Sequence, residues 1–334
     1  MKAIVMTAAG TPDVLQMRDV PKPKIEQPTE ILVQLKAAGV NPIDTKLRGR
    51  GTFYPEQMLA ILGCDGAGVV EAVGSGVTKF QPGDEVYFCA GGLGLQGTGN
   101  YAEFTVVDEL CVAHKPASLS FPEAAAAPLV LITAWESLSD RARLKTGQKV
   151  LIHAGAGGVG HVAIQLAKLE GAEVCTTVSS QDKARLARQF GADYPILYQQ
   201  NDFVAATLDW TGGEGVDVAF DTVGGKTFFD TCAAVRVYGD LVTILEPDSS
   251  VGNLKVARNR NLRISLELML TPGLQGLVSA QKQQTEILKQ CANFFDEGQL
   301  KIHLSQTFPL EAAAAAHLAI ETGSTTGKIA LIME

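Results

Sequence analysis

Residues 149–161 read Lys149-Val-Leu-Ile-His-Ala-Gly-Ala-Gly-Gly-Val-Gly-His161, and the fold turns on how this stretch is built. Val150, Leu151 and Ile152 form an apolar run, rich in β-branched residues, that stops at Gly155. Gly157, Gly158 and Gly160 follow, and from Val162 the apolar residues recur at helical spacing through Ile164, Leu166 and Leu169. The expectation is strand, tight turn, helix. Glycines are what a chain needs where backbone must approach a pyrophosphate and a helix N-terminus must aim its free N–H groups at that anion. Gly155, Gly157 and Gly160 also satisfy G-x-G-x-x-G, with the strand before and the helix after that this pattern requires. A glycine turn without a ligand is the plainer alternative.

Downstream, strands and helices alternate. Residues 173–178 read as strand, 181–190 as helix, 192–198 as a return toward the sheet and 216–220 as strand. Residues 226–234 read as helix, 240–245 and 262–268 as strands, and 283–297 as helix. Such alternation implies a parallel sheet covered on both faces. Upstream, short β-type runs at 2–6, 15–18, 30–38, 68–73, 85–89 and 102–107 are separated by turn residues, which indicates a barrel or sandwich-like module. Gly91 to Gly99 is a glycine-rich loop. Ser120-Phe-Pro-Glu123 carries a capping-box signature ahead of Ala124 to Ala127, and a second amphipathic stretch covers 131–138. Leu310 to Ile320 reads as an Ala-rich helix, and 328–333 as a strand that the α/β region does not require. This tail is expected to pack back on the first domain, giving boundaries of 1–122, 123–300 and 301–334.

With 334 residues, 46% of them hydrophobic, the chain can bury a large core. No apolar run approaches the ~20 residues of a membrane helix, and the first residues lack a basic region followed by an apolar core and cleavage site, so a soluble, intracellular protein is expected. A net charge of −8 leaves no basic footprint for nucleic acid. The six cysteines form no C-x-x-C pair, which suits reduced thiols in the cytoplasm.

Several segments in combination carry a family resemblance. They are Gly39-Val-Asn-Pro-Ile-Asp44, Leu62-Gly-Cys-Asp-Gly-Ala-Gly-Val-Val-Glu71, residues 73–86, Ile132-Thr-Ala-Trp-Glu136, the glycine-rich turn, Phe190-Gly-Ala-Asp193 and Gly327-Lys328. The chain resembles the medium-chain dehydrogenase/reductase superfamily and, within it, the zinc-independent quinone oxidoreductase group related to zeta-crystallin. The resemblance implies a GroES-like β-barrel domain, a Rossmann domain with a doubly wound parallel sheet, and homodimers or homotetramers. It also implies that Asn41 and Thr133 approach the nicotinamide ribose and ring, and that Ala156, Gly157, Gly158 and Val159 line the pyrophosphate. Ser179, Lys183 and Tyr198 fall at the 2′-phosphate or adenine edge, Thr222, Val223, Ile244 and Leu245 border the cofactor, and Lys328 reaches it from the tail.

Rossmann domains that prefer NAD usually end their second strand with Asp or Glu, which binds the ribose hydroxyls and repels a 2′-phosphate. This chain has Val178-Ser179-Ser180-Gln181 there. Ser179 and Ser180 can donate hydrogen bonds and Lys183 can supply positive charge, so NADPH is the expected cofactor. The plainer readings are a helix cap for Ser180 and a solvated helix face for Lys183, with Asp182 in the first helical turn.

Zinc enzymes of the superfamily hold their metal with a Cys, the His of Gly-His-Glu and a further ligand. The matching positions here are Asn41, Gly63-Cys64-Asp65 and the stretch 129–135, which has no ligand type, so no metal is expected. Without a Lewis acid, a conjugated acceptor is easier to reduce than an isolated ketone, because charge spreads to an oxygen that hydrogen-bond donors can hold. The expected substrate is a small quinone or α,β-unsaturated carbonyl compound. Asn41, Thr45 and Tyr54 are the candidate donors, with Lys46 as an outsider, since several quinone reductases have an aromatic residue at its position. The rival readings are a zinc-type alcohol dehydrogenase with altered ligands and a non-catalytic NADPH sensor or structural protein.

Overall fold

The computed structural model describes residues 1–57, 59–95 and 97–333. From the N-terminus come β1 (Lys2–Met6), β2 (Leu15–Asp19), β3 (Glu30–Val40), α1 (Pro42–Arg50), β4 (Ala60–Ile61) and β5 (Asp65–Val73). Next are β6 (Glu85–Cys89), β7 (Phe104–Asp108), β8 (Val112–His114) and α2 (Phe121–Ala126). The expected capping box is present: Ser120 N donates to Glu123 Oε2 at 2.9 Å, and Glu123 N reaches back to Ser120 Oγ at 3.5 Å. Gly39 lets this helix lie against β3, because a Cβ there would stand 2.3 Å from Ala125 O.

The alternating region begins with α3 (Pro128–Trp135), which loosens into a π-helical turn over Glu136–Arg141. It continues with β9 (Lys149–Ile152), α4 (Gly158–Leu169), β10 (Glu173–Val178), α5 (Gln181–Gln189), β11 (Tyr194–Leu197) and α6 (Phe203–Trp210). Then follow β12 (Val216–Asp221), α7 (Gly225–Ala234), β13 (Val235–Thr243), α8 (Lys255–Asn259) and β14 (Arg263–Leu266). The six strands are parallel, in the order β11-β10-β9-β12-β13-β14. The chain winds one way from β9 to β11 and the other way from β12 to β14, so the strand order reverses between β9 and β12. In such sheets ligands bind at the carboxyl ends of the strands beside that reversal. Leu151, Cys175, Ile196, Ala219, Phe228 and Leu241 are buried around the sheet.

The chain ends with α9 (Thr271–Leu274), α10 (Val278–Asp296), β15 (Leu304–Pro309), α11 (Ala313–Glu321) and β16 (Lys328–Ile332). The tail does return to the first β-module: β16 lies antiparallel to β3 and parallel to β15, within the sheet β15-β16-β3-β5-β6-β8. β7 pairs with β3, and a separate sheet runs β2-β1-β4. The core of this module contains Ile4, Met6, Val33, Leu35, Leu62, Phe88, Tyr101 and Leu331.

Contacts divide the chain into two units: Met1–Leu129 with Thr271–Gly298 and Ile302–Glu334, and Val130–Leu270 with Gln299–Lys301. This departs from the expected division at 123–300. The first unit keeps α2 because it lies on β3. It also takes α10, to which Tyr87 Oη donates at Leu288 O (2.5 Å) and from which Thr285 Oγ1 donates to Leu110 O (2.6 Å). Among the described residues, no helix is long and apolar enough to cross a membrane.

Candidate active site

The glycine-rich turn forms as its residues dictate. Ala154 takes a positive φ of 52°, and Gly155 N and Gly157 N bond to Thr177 O (3.1 Å) and Ala154 O (2.8 Å). A Cβ on Gly155 would sit 2.1 Å from Thr176 Oγ1, and one on Gly160 would sit 2.2 Å from Ala154 O. Both positions therefore need glycine to bring α4 down onto the strands. Gly157 is the N-cap and gives the helix no side-chain cap. The first amides of α4, framed by Ala156, Gly157, Gly158 and Val159, are thus left to an external acceptor, with the positive end of the helix dipole behind them.

Beside the turn, the carboxyl ends of β12 and β13 converge. Thr222 Oγ1 donates to His153 O at 2.9 Å. Asp221, fully buried, accepts from the amides of Val223 and Gly224 and from Thr243 Oγ1, each at 2.9 Å. Gly224 has φ of 73° and approaches so closely that a Cβ would lie 2.7 Å from Leu245 Cδ1, which sets Thr222 and Val223 beside Ile244 and Leu245. Sequence reasoning missed Asp221; the signal was a carboxylate ending a strand just before the Gly224-Gly225 pair. His153 is held between Thr177 Oγ1 (3.0 Å) and Thr231 Oγ1 (2.8 Å). Burial lowers its pKa to about 4, so it is a neutral structural residue.

At the end of β10, Ser180 is the N-cap of α5 and accepts from Lys183 N at 3.3 Å. The plain reading of Ser180 is therefore correct as far as it goes, and its own hydroxyl hydrogen remains to be donated. Asp182 is exposed and ion-paired with Arg185. Tyr198 N bonds to Val178 O at 3.3 Å, which brings the exposed Tyr198 to the same strand end as Ser179, Ser180 and Lys183. Thr133 is buried on α3 in this second unit.

The first unit contains a second constellation. Asn41 begins α1, and its backbone N–H is accepted by Asp44 Oδ2 at 2.8 Å. Its side chain is fully buried: Nδ2 donates to Asp65 Oδ2 at 2.9 Å, and Oδ1 accepts from Lys328 Nζ. Lys328 Nζ also donates to Val40 O at 3.1 Å. Tyr101 Oη donates to Asp44 Oδ2 at 3.0 Å and lies 3.2 Å from His317 Nε2, while Cys64 Sγ lies 4.0 Å from Asp44 Oδ1. Burial raises the Asp44 carboxyl to about 7, with Asp65 adding to the effect. Burial likewise raises Asp65 and lowers Lys328, while their opposite charges pull each of them back. The Cys64 thiol is pushed well up by burial and then by Asp44 and Asp65, so it is no thiolate.

Thr45 is buried on α1 and spends its hydroxyl hydrogen on Pro42 O at 3.0 Å. Tyr54 is half-buried and Lys46 exposed. The structure thus brings together Asn41 and Lys328 in one unit, and the turn, the β12–β13 ends and the β10 end in the other. Sequence reasoning missed Asp44, whose local signal was the capping-box spacing Asn41-Pro-Ile-Asp44, and Tyr101, which lies 57 residues from Asp44 and has no local tie to it. Among the described residues, no group of three or more His, Cys, Asp or Glu side chains could hold a metal ion.

Two family models match the chain: the alcohol dehydrogenase GroES-like domain over residues 27–117, and the zinc-binding dehydrogenase over residues 190–331. A quinone oxidoreductase of Pseudomonas aeruginosa is 35% identical over 99% of both chains. A 2-haloacrylate reductase of a Burkholderia species is 32% identical over 99% of this chain and 98% of its own. A crystal structure of Escherichia coli quinone oxidoreductase complexed with NADPH superposes with a TM-score of 0.86, at 31% identity and full coverage of both chains.

Proposed function

This chain belongs to the medium-chain dehydrogenase/reductase superfamily, in its quinone oxidoreductase group, and from that premise we propose that it is an NADPH-dependent reductase of quinones or other conjugated carbonyl compounds that works without zinc. The observation that carries this reading is the uncapped start of α4 at the strand reversal, together with the serine hydroxyls at the end of β10 where NAD-preferring domains have a carboxylate. The relatives named for quinones and for an unsaturated acid, and the NADPH in the Escherichia coli structure, support it.

The cofactor supplies a hydride. The amides of 156–159 hold its pyrophosphate, and Ser179, Ser180 and Lys183 take its 2′-phosphate, with Tyr198 at the adenine edge. Thr222, Val223, Ile244 and Leu245 border it at the β12–β13 ends, and Thr133 meets the nicotinamide end. Hydride adds to the acceptor carbon remote from the carbonyl, the electron pair moves to the carbonyl oxygen, and solvent later supplies the proton. Tyr54 holds that oxygen by donating to it, and Asn41, fully buried here, joins it once substrate binding uncovers its amide. Thr45 joins them only by releasing Pro42 O, to which it is already bonded. Lys328 acts through Asn41, because Val40 O and Asn41 Oδ1 engage its ammonium.

Steady-state oxidation of NADPH and of NADH with benzoquinone, an enone and a substituted acrylate tests the reading. The expected result is turnover with at least one acceptor and a clear preference for NADPH. Alcohol-dependent reduction of NADP⁺ with stoichiometric zinc, or NADPH binding without any turnover, overturns it.

A further inference from the structure

The Asn41 amide is suspended between two buried groups of opposite charge. Lys328 Nζ donates to its oxygen, and its nitrogen donates to Asp65 Oδ2 at 2.9 Å. Asn41 and Asp65 are 0% exposed and Lys328 is 3% exposed. Lys328 and Asp65 form no direct ion pair among the described residues, so the amide is what joins them. Buried charges joined through a neutral amide are a costly way to fill space, and apolar residues of the same volume would stabilise a core at least as well.

Two consequences follow from the chemistry of the groups. An ammonium only donates and an ionised carboxylate only accepts, so the amide has one permitted orientation. A flip would set Nδ2 hydrogens against Nζ and Oδ1 against the carboxylate. In a low-dielectric interior, hydrogen bonds in a chain also polarise one another. The cation at Oδ1 draws density from Nδ2 and leaves its hydrogens more positive. One Nδ2 hydrogen goes to Asp65, and the other meets no acceptor among the described residues. Asp65 is fixed in turn by Leu129 N, which donates to Oδ1 at 2.9 Å.

We propose that Asp65 and Lys328 are positioning residues that fix and polarise the Asn41 amide, so that its second Nδ2 hydrogen, enclosed by protein in this structure, is a strengthened donor to the oxygen that gains charge during reduction once substrate binding uncovers it. The proposal rests on the function given above. A double-mutant cycle tests it. N41A lowers kcat about 100-fold, in the range for loss of one oxyanion donor. K328M lowers kcat about tenfold in the wild-type background and less than twofold in the N41A background, since the group it acts through is gone. D65N, which keeps the side-chain shape, shows the same dependence and stands in for K328M where that variant fails to fold. A second readout needs no catalysis. The Asn41 side-chain amide resonance in asparagine-labelled protein, assigned by its loss in N41A, lies downfield and moves upfield in K328M or D65N. Losses that multiply in an enzyme that turns over, or an amide resonance that ignores both substitutions, overturn the clamp alone. A wild-type chain that oxidises NADPH with no acceptor overturns the proposed function and the oxyanion role that depends on it.

Discussion

Asp44 shows what one buried carboxyl can do to stability. Burial raises it from 3.8 to about 7, so the native state holds its proton more tightly than the unfolded chain. That contribution is full below pH 3.8, declines as pH rises and is gone above about 7; the gap corresponds to ~4 kcal/mol. His317 has the opposite sign. Burial lowers it to about 3, so its contribution is present above 6.5 and lost as pH falls. Because the two oppose each other in mildly acidic solution, the informative quantity is a difference between variants. D44N cannot ionise, so relative to wild type it should gain a few kcal/mol between pH 5 and pH 8 in urea unfolding; a pH-independent difference refutes the assignment. For the cofactor edge, K183E should weaken NADPH far more than NADH in fluorescence titrations, and equal losses would remove Lys183 from the 2′-phosphate. C64A should leave turnover within about threefold, because a protonated buried thiol has no chemistry to lose; a loss above ~100-fold, or ~2.7 kcal/mol of barrier, would contradict that.

At the scale of elements, the turn into α4 is the tightest constraint. G160A would press a methyl group against Ala154 O, a backbone atom that cannot swing aside. The variant should lose roughly 1–3 kcal/mol of stability and bind NADPH more weakly, as read by thermal shift with and without the cofactor. This turn was legible in the sequence because one short window carries its strand, its glycines and its helix period. α1 was not. Asn41-Pro42 looks like a turn, and the helix buries Asp44, Thr45 and Arg48 beside Leu47, so it has no apolar stripe to give its period away. β13 was expected from 240 but begins at Val235, since Tyr238, with φ of 61° and an exposed ring, interrupts its pattern. The clamp around Asn41 was half legible. Asn41 and Lys328 were each singled out, but 287 residues separate them, and no local signal joins them to each other or to Asp65.

At the scale of the whole molecule, the two units are made from chain in different ways. The second is nearly continuous from Val130 to Leu270, whereas the first is assembled from three separate lengths. That the tail rejoins the opening module was legible, because a strand at 328–333 had no place in an alternating α/β pattern. That α10 goes with it was not, because the pattern of a helix does not say which sheet it covers. Ending the chain at residue 327 should leave the second unit resistant to limited proteolysis while the first is digested. Equal resistance of both would mean that β16 is dispensable. The pairing of β16 with the Ala37–Val40 end of β3 also orders events at the ribosome. The nucleotide-binding half has its six strands translated and free to condense while the earlier-made β-module still waits for its closing strand. Until β16 is made, the Ala37–Val40 end of β3 lacks that antiparallel partner. Since Lys328 arrives on that same strand, no product that stops before it can own a finished Asn41 clamp.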